Sequence, residues 1–298
     1  MRIVRTVAEM QRLSRDARRD GRRVGLVPTM GAFHEGHVSL MRAACEDDDL
    51  VVVSLFVNPI QFGPGEDLAS YPRDEEQDLA TAAAHGVDVV FAPSAEEMYP
   101  AGFSSQIRVR GLSHVLCGAV RGAAHFDGVA TVVAKLLAVV VPDDVYLGRK
   151  DAQQLIIVRR LVRDLGFPVQ VVACPTRREA DGLAMSSRNV YLSAEERRRA
   201  PALFRALEAA EIAVADGETA AAQIVAAARR VLDEAGLVPE YLELRERETL
   251  TEIDVLDRDA LLAVAVRLGR ARLIDNVFLD VPSGPPDRAD AVGRAAAS

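Results

Sequence analysis

Short, unbroken apolar runs alternate with helical patterns through the first two thirds of this 298-residue sequence, and few folds accommodate that alternation. Residues 24–27, 50–57, 87–91, 145–147 and 169–172 read as strands. Residues 38–44, 73–85, 129–141 and 151–165 read as helices between them, with stops at Gly86, Pro142 and Gly166. A further helix opens at Thr6-Val7-Ala8-Glu9, a capping-box pattern, and closes at Gly21. Strands that show no polar alternation are buried on both faces. Separated by helices, they predict an α/β fold with a Rossmann-like, mostly parallel sheet covered on both sides.

The pattern changes after Pro175. A polar loop leads to two Ala-rich helices near 194–215 and 219–235, then to strands at 241–244, 261–266 and 272–278. This reads as a second, smaller α+β domain. The division falls at 1–176 and 177–298, with a loose tail from about residue 282. A formal net charge of −8 opposes a global electrostatic grip on nucleic acid. No run of about 18 consecutive apolar residues marks a membrane span. Arg2 and Arg5 precede no signal-peptide core. The three cysteines, Cys45, Cys117 and Cys174, are far apart and include no C-x-x-C pair, which suits free thiols in a reducing cytoplasm and no zinc site.

Four segments carry candidate chemistry. The first, Pro28-Thr29-Met30-Gly31-Ala32-Phe33-His34-Glu35-Gly36-His37, runs from a buried strand into a helix. Its glycines allow close backbone approach, and the helix start offers free N–H groups to an anion such as phosphate. His34 and His37 can donate to phosphoryl oxygens, more strongly if protonated. The bland alternative is a surface turn; a metalloprotease site is excluded because the spacing is H-E-x-H and not H-E-x-x-H. The second segment, Asn58-Pro59-Ile60-Gln61, follows the strongest strand, where open α/β sheets bind ligands. Its amides suit a small polar substrate, and Asn-Pro also suits a plain turn. The third, Gly148-Arg149-Lys150-Asp151-Ala152-Gln153-Gln154, joins a strand to a helix. Of 36 basic residues only Lys135 and Lys150 are lysines, so Lys150 stands out as a compact phosphate-type charge; a solvated lysine beside an Asp-capped helix is the alternative. The fourth, Met185-Ser186-Ser187-Arg188-Asn189, offers hydroxyls and a guanidinium for phosphate contact, or is an interdomain linker. The acidic run 46–49 reads as a solvated turn, and Lys135 as a side chain snorkelling from an apolar helix.

Together, V-P-T-M-G-A-F-H-E-G-H, F-V-N-P-I-Q-F and D-G-L-A-M-S-S-R-N-V-Y-L, in this order, resemble the pantoate–β-alanine ligase family of the HIGH-motif nucleotidyltransferases, from about Val4 to about Asp280. The resemblance implies a cytoplasmic, homodimeric, ATP- and Mg²⁺-dependent ligase with its active site in the interdomain cleft. Its substrates would be (R)-pantoate and β-alanine, joined through a pantoyl adenylate with release of AMP and pyrophosphate. It implies His37, His34 and Lys150 as catalytic groups. ATP would be held by Met30, Gly31, His34, Gly36, His37, Gly148, Lys150, Asp151, Met185, Ser186, Ser187 and Arg188. Pantoate would be held by Gln61 and Gln154 with Asn58 in support, and no metal site is built from protein ligands alone.

Departures from the family pattern concentrate at two places. Arg149 replaces the Glu of G-E-K-D, beside Ala152 where an aromatic residue is usual. Cys117 replaces a Glu, and the R-x-G-H-F segment becomes Arg121-Gly122-Ala123-Ala124-His125-Phe126, one residue longer. These leave two alternatives open: a divergent adenylate-forming ligase for another acid or amine, and a catalytically silent nucleotide-binding protein.

Overall fold

The computed structural model describes residues 1–63, 68–69 and 71–281, so the tail expected from about 282 lies outside the described residues. The chain runs β1 (Arg2–Val4), α1 (Val7–Arg19), β2 (Val24–Thr29), α2 (Glu35–Asp47), β3 (Leu50–Leu55), α3 (Glu75–Ala84), β4 (Val89–Phe91), α4 (Ala95–Met98), α5 (Cys117–Arg121), α6 (Ala123–Val140), β5 (Asp144–Gly148), α7 (Ala152–Leu165) and β6 (Gln170–Cys174). These strands form one parallel sheet in the order β1-β4-β3-β2-β5-β6. From β2 the chain builds outward to β3 on one side, and β5 later joins on the other. The carboxyl ends of β2, β3 and β5 therefore flank a switch point, where an open α/β sheet leaves a crevice for ligand.

The expected strands and helices are present, with informative shifts at their ends. Thr6 caps α1 by accepting from the Glu9 N–H, but the Glu9 carboxylate pairs with Arg2 and does not close a capping box. α6 begins at Ala123, six residues before the expected start, and ends as expected ahead of Pro142. It is long and apolar enough to cross a membrane, yet most of it is buried beneath the sheet as a core helix. Lys135 does not snorkel to the end of α6; its ammonium lies over the rings of Phe103 and Tyr99, at 4.9 and 5.6 Å. The acidic run is not simply solvated either. The Asp48 side chain is wholly buried and accepts from Tyr146 Oη at 2.7 Å, and burial pushes its pKa up to about 6.

The second layer comprises α8 (Ala194–Arg199), α9 (Ala202–Ala215), α10 (Ala221–Glu234) and an antiparallel sheet of β7 (Pro239–Glu246), β8 (Ala260–Leu268) and β9 (Ala271–Leu279) in sequential order. The single helix expected over 194–215 is two. Ser193 and Glu196 close a capping box on α8, and Pro201, with no N–H to donate, separates it from α9. β8 reads as a nearly continuous apolar run because both its faces are buried. Leu262, Val264 and Val266 pack with the Ala-rich helices, while Leu261, Ala263 and Ala265 join the core of the parallel sheet. β1, too short to declare itself in the sequence, pairs with β4 at the sheet edge.

Candidate active site

The loop after β2 is held from a distance. Asp78 on α3 accepts from the Ala32 N–H at 2.9 Å and the Phe33 N–H at 2.7 Å. Burial pushes the Asp78 carboxyl upward, and the two amide bonds pull it back. Gly31 packs beneath this loop against Asp78 and Leu55. Asp78 gives no local signal in sequence, being 45 or more residues from its partners.

His34 is the N-cap of α2. Its Nδ1 accepts from the Gly36 N–H at 3.1 Å, and His37 Nδ1 accepts from the His34 N–H at 3.4 Å, a reciprocal box built from two histidines. Gly36 permits it: a Cβ there would lie 2.7 Å from His34 Cε1. With both Nδ1 atoms accepting, the hydrogen-bond pattern assigns the proton of each neutral ring to Nε2. The rings lie 4.2 Å apart. Burial first, then neighbouring positive charge, lowers His34 to about 4 and His37 to about 3. The sequence suggested stronger donation from protonated rings; desolvation and the nearby Lys150 make these neutral Nε2–H donors at pH 7.

A consequence for stability follows by proton linkage. The unfolded chain takes up these protons near 6.5 and the folded chain only near 4 and 3. The unfolded state thus binds more protons below about 6.5, and the unliganded protein loses stability as pH falls from there toward 4. A His34→Asn/His37→Asn variant is expected to show a shallower fall in Tm between pH 7.5 and 5 than the parent; parallel curves would contradict the buried neutral pair.

Gln61 sits in a turn of 3₁₀ helix, Pro59–Gln61, after β3. Its Oε1 accepts from Asn58 Nδ2 at 2.9 Å, so its Nε2 donors face Met30 Sδ, at 3.0 Å, and the cavity. Asn58, almost fully buried, also donates to Gly128 O at 3.1 Å and accepts from Tyr99 Oη at 2.7 Å. Asn58 therefore orients Gln61. Gly128 lets α6 close on this turn; a Cβ would lie 2.5 Å from Ile60 O and 2.7 Å from Gln61 Cα. Overpacking of this kind costs about 1–3 kcal/mol. Gly128→Ala is therefore expected to lower the Tm by several degrees, as thermal unfolding would report; an unchanged Tm would contradict the close packing of α6 on this turn.

Met30, His34, Gly36, His37, Asn58, Gln61, Gly148, Lys150, Asp151, Gln154 and Met185–Arg188 line one cavity of about 220 Å³. Every sequence-predicted site residue except Gly31 is on this wall. Lys150 is largely buried, its Nζ 3.9 Å from Asp151 Oδ2. Asp151 occupies the N-cap position of α7 but makes no capping bond, contrary to expectation, because a 3₁₀ turn over Arg149–Asp151 precedes the helix. Arg149 lies on the wall of neither this cavity nor its neighbour; its guanidinium is 6.0 Å from the Phe278 ring. The segment read as a phosphate contact or an interdomain linker is tied to its surroundings: Asn189 bonds Glu179 and Ala184 O, and Arg197 holds both Glu179 and Asp181.

A second cavity of about 690 Å³ adjoins the first and shares Lys150, Asp151, Gln154, Ser186 and Arg188 with it. The departures other than Arg149 gather here. Cys117 Sγ lies 3.1 Å from Tyr241 Oη and accepts from Arg272 Nη1 at 3.4 Å. Gln153 is spent on structure, with its amide binding Cys117 N, Leu112 O and Val115 O. Arg121 Nη1 lies 2.9 Å from His125 Nε2, and His125 Nδ1 lies 2.8 Å from Gln61 O. The lengthened 121–126 segment thus still reaches the Gln61 turn. Among the described residues no group of three or more His, Cys, Asp or Glu side chains is placed to hold a metal.

A parallel sheet whose switch point opens onto a histidine-capped helix start, a lysine and paired amides has the architecture of α/β nucleotide-binding enzymes. The comparisons narrow that class. The sequence model of the pantoate-beta-alanine ligase family matches residues 2–278. A pantothenate synthetase of Chelativorans sp. is 54% identical over 282 residues, which cover 94% of this chain and 99% of that protein. The crystal structure of pantothenate synthetase from Thermus thermophilus superimposes with a TM-score of 0.87 at 48% identity, covering 93% of this chain and 99% of the other. Pantoate-beta-alanine ligase from Francisella tularensis, complexed with beta-gamma ATP and beta-alanine, gives 0.76 at 31% identity, covering 93% and 97%. This chain belongs to the pantoate-β-alanine ligase family.

Proposed function

We infer that this chain joins (R)-pantoate to β-alanine in an ATP-dependent reaction that passes through pantoyl adenylate and releases pyrophosphate and AMP. The observation that carries the reading is the convergence of His34, His37, Lys150 and the Gln61–Gln154 pair on one 220 Å³ cavity. The cavity is polar on its phosphate-type side and lined by Val129, Val132, Val133 and Leu136 on another, which suits the gem-dimethyl body of pantoate. In this reading Gln61 and Gln154 hold the acid, with Asn58 behind Gln61. Met30, Gly36, Gly148, Asp151 and Met185–Arg188 surround the nucleotide, with Gly31 packed behind the loop that carries Met30.

In the first step a pantoate carboxylate oxygen attacks the α-phosphorus and the bond to the β-phosphoryl bridging oxygen breaks. Negative charge grows on the equatorial oxygens and on the departing pyrophosphate. The two Nε2–H groups and the Lys150 ammonium are donors for that charge on the wall of the cavity. In the second step the free amine of β-alanine attacks the acyl carbonyl, AMP leaves with the electron pair of the broken acyl–oxygen bond, and the proton lost from the nitrogen passes to the departing phosphate or to water. The amine would arrive from the 690 Å³ cavity, whose wall carries Arg121 and Arg272 beside the shared Gln154.

Mg²⁺ fits this site as a companion of the nucleotide. Asp151 is the one carboxylate among the described residues lining the smaller cavity, and magnesium characteristically takes one or two carboxylates with phosphate oxygens and water. Bound there, it would neutralise polyphosphate charge. The change of pattern after Pro175 and the separate antiparallel sheet support the division at 176/177, and family likeness a homodimer and a cytoplasmic location; light scattering after size-exclusion chromatography tests the dimer. The function itself is tested by supplying ATP, Mg²⁺, (R)-pantoate and β-alanine and analysing products by mass spectrometry. One pantothenate and one AMP per ATP consumed are expected. ADP as product, or no pantothenate, would refute the reading.

A further inference from the structure

The catalytic lysine has a weak local tether. Its ammonium is 3.9 Å from Asp151, too far for a hydrogen bond, and the Asp151 side chain is half exposed. Its position therefore depends on its backbone. That backbone is gripped from the other sheet: Asn276 on β9 donates from Nδ2 to Lys150 O at 2.8 Å and to Arg149 O at 3.0 Å. The Asn276 side chain thus bridges two consecutive carbonyls of the 3₁₀ turn, and Asn276 is itself buried, at 7% exposure. Its neighbour Asp275, pointing to the opposite face of the strand, accepts from Arg178 Nη1 at 2.5 Å and Nη2 at 3.1 Å. Arg178 in turn donates to Gly182 O at 3.1 Å and stacks on Phe204 at 4.2 Å. Asp275 Oδ1 also accepts from the Asn276 backbone N–H at 2.9 Å, tying the Asp275 side chain to the strand backbone that carries Asn276.

We propose that Asn276 is a positioning residue for Lys150, and that the Asp275–Asn276 pair makes β9 a bracket holding both cationic walls of the cleft, the Lys150 turn and the loop bearing Arg188. The proposal deepens the reading above and rests on Lys150 acting in adenylation. It explains why the turn carrying Lys150 can follow a strand of the parallel sheet and yet keep its place. A turn that needs two carbonyls satisfied, and has a partner on a separate sheet, holds its side chain only while the two layers stay in register. A misplacement of about 1 Å can cost as much as about 10²-fold in rate.

The test is a double-mutant cycle read by single-turnover formation of pantoyl adenylate from ATP and pantoate, using the full chain. Asn276→Asp keeps shape and volume but removes both donors; Asn276→Ala is the second variant should the first fold poorly, and Tm is recorded for each. In the parent, losing the Asn276 donors is expected to slow adenylation by about 10–10²-fold. In a Lys150→Ala background the same change is expected to cost less than about twofold, because the group it positions is gone. An equal loss in both backgrounds would assign Asn276 a purely structural role and overturn the proposal, as would no loss in the parent. Full activity of Lys150→Ala alone would refute the lysine's role, and the positioning with it, and is distinguishable from the other outcomes by that single variant.

Discussion

Replacing His37 with alanine is expected to slow pantoyl-adenylate formation by about 10²–10³-fold, the scale for losing one donor aimed at transition-state charge. His37 sits one turn into α2 with its Nδ1 committed to the His34 N–H, leaving Nε2–H as its donor. Two functions are therefore lost together, the donor and half of the helix cap. His37→Asn separates them. Its shorter side chain can still accept a backbone hydrogen bond at the cap, but it cannot reach as far into the cavity. Rapid-quench measurement of adenylate formation should show both variants slow, with Tm restored toward the parent in His37→Asn. Near-normal adenylation in either variant would remove His37 from the chemistry.

The second large effect is expected at Gln61. Gln61→Ala removes an amide whose donors face the acid pocket and leaves Asn58 Nδ2 with one partner fewer. A hydrogen bond to a charged group is worth about 1.5–3 kcal/mol, and each 1.4 kcal/mol is tenfold, so pantoate binding should weaken by about 10–10²-fold. Nucleotide affinity should change little, because among the described residues no hydrogen bond joins Gln61 to the histidine box or Lys150, and its one contact with the nucleotide loop is the Met30 thioether. Calorimetric titration of each substrate separates the two: weakened pantoate with unchanged ATP is the expected pattern, and unchanged pantoate affinity would refute the pocket assignment.

The elements that carry the site were legible because their signals are local. A β2 run ending in Pro-Thr-Met-Gly and entering a helix through His34 can be read from about ten consecutive residues, and so can the turn at Asn58–Gln61. The groups that hold those segments in place were not legible. Asp78 reaches the β2 loop from α3, Tyr99 reaches Asn58 from 41 residues away, and Asn276 reaches the Lys150 turn from 126 residues away. A single buried carboxylate or amide among many has no spacing to mark it, and only the fold brings it to its partner. The same limit explains Asp48, which sits in an ordinary acidic run until Tyr146 and Asp144 close over it. It explains Arg149 as well: beside Lys150 in sequence, it belongs to the opposite side of the turn, against Phe278.

Of the departures from the family pattern, Arg149 lines neither cavity, and Cys117, Arg121, His125 and Ala152 lie on the larger one. Cys117, Tyr241 and Arg272 line the larger cavity, from which the amine would arrive, whereas His34, His37, Gln61 and Lys150 line the smaller one, where the proposed adenylation would occur. Formation of the adenylate is the central claim of the proposed function. It is tested most directly by ATP–pyrophosphate exchange measured with ATP, Mg²⁺ and labelled pyrophosphate, with and without (R)-pantoate, in the absence of β-alanine. Exchange that requires pantoate, and that is lost in the His37→Ala variant, is the predicted result. ATP bound to the protein with no pantoate-dependent exchange would contradict the account.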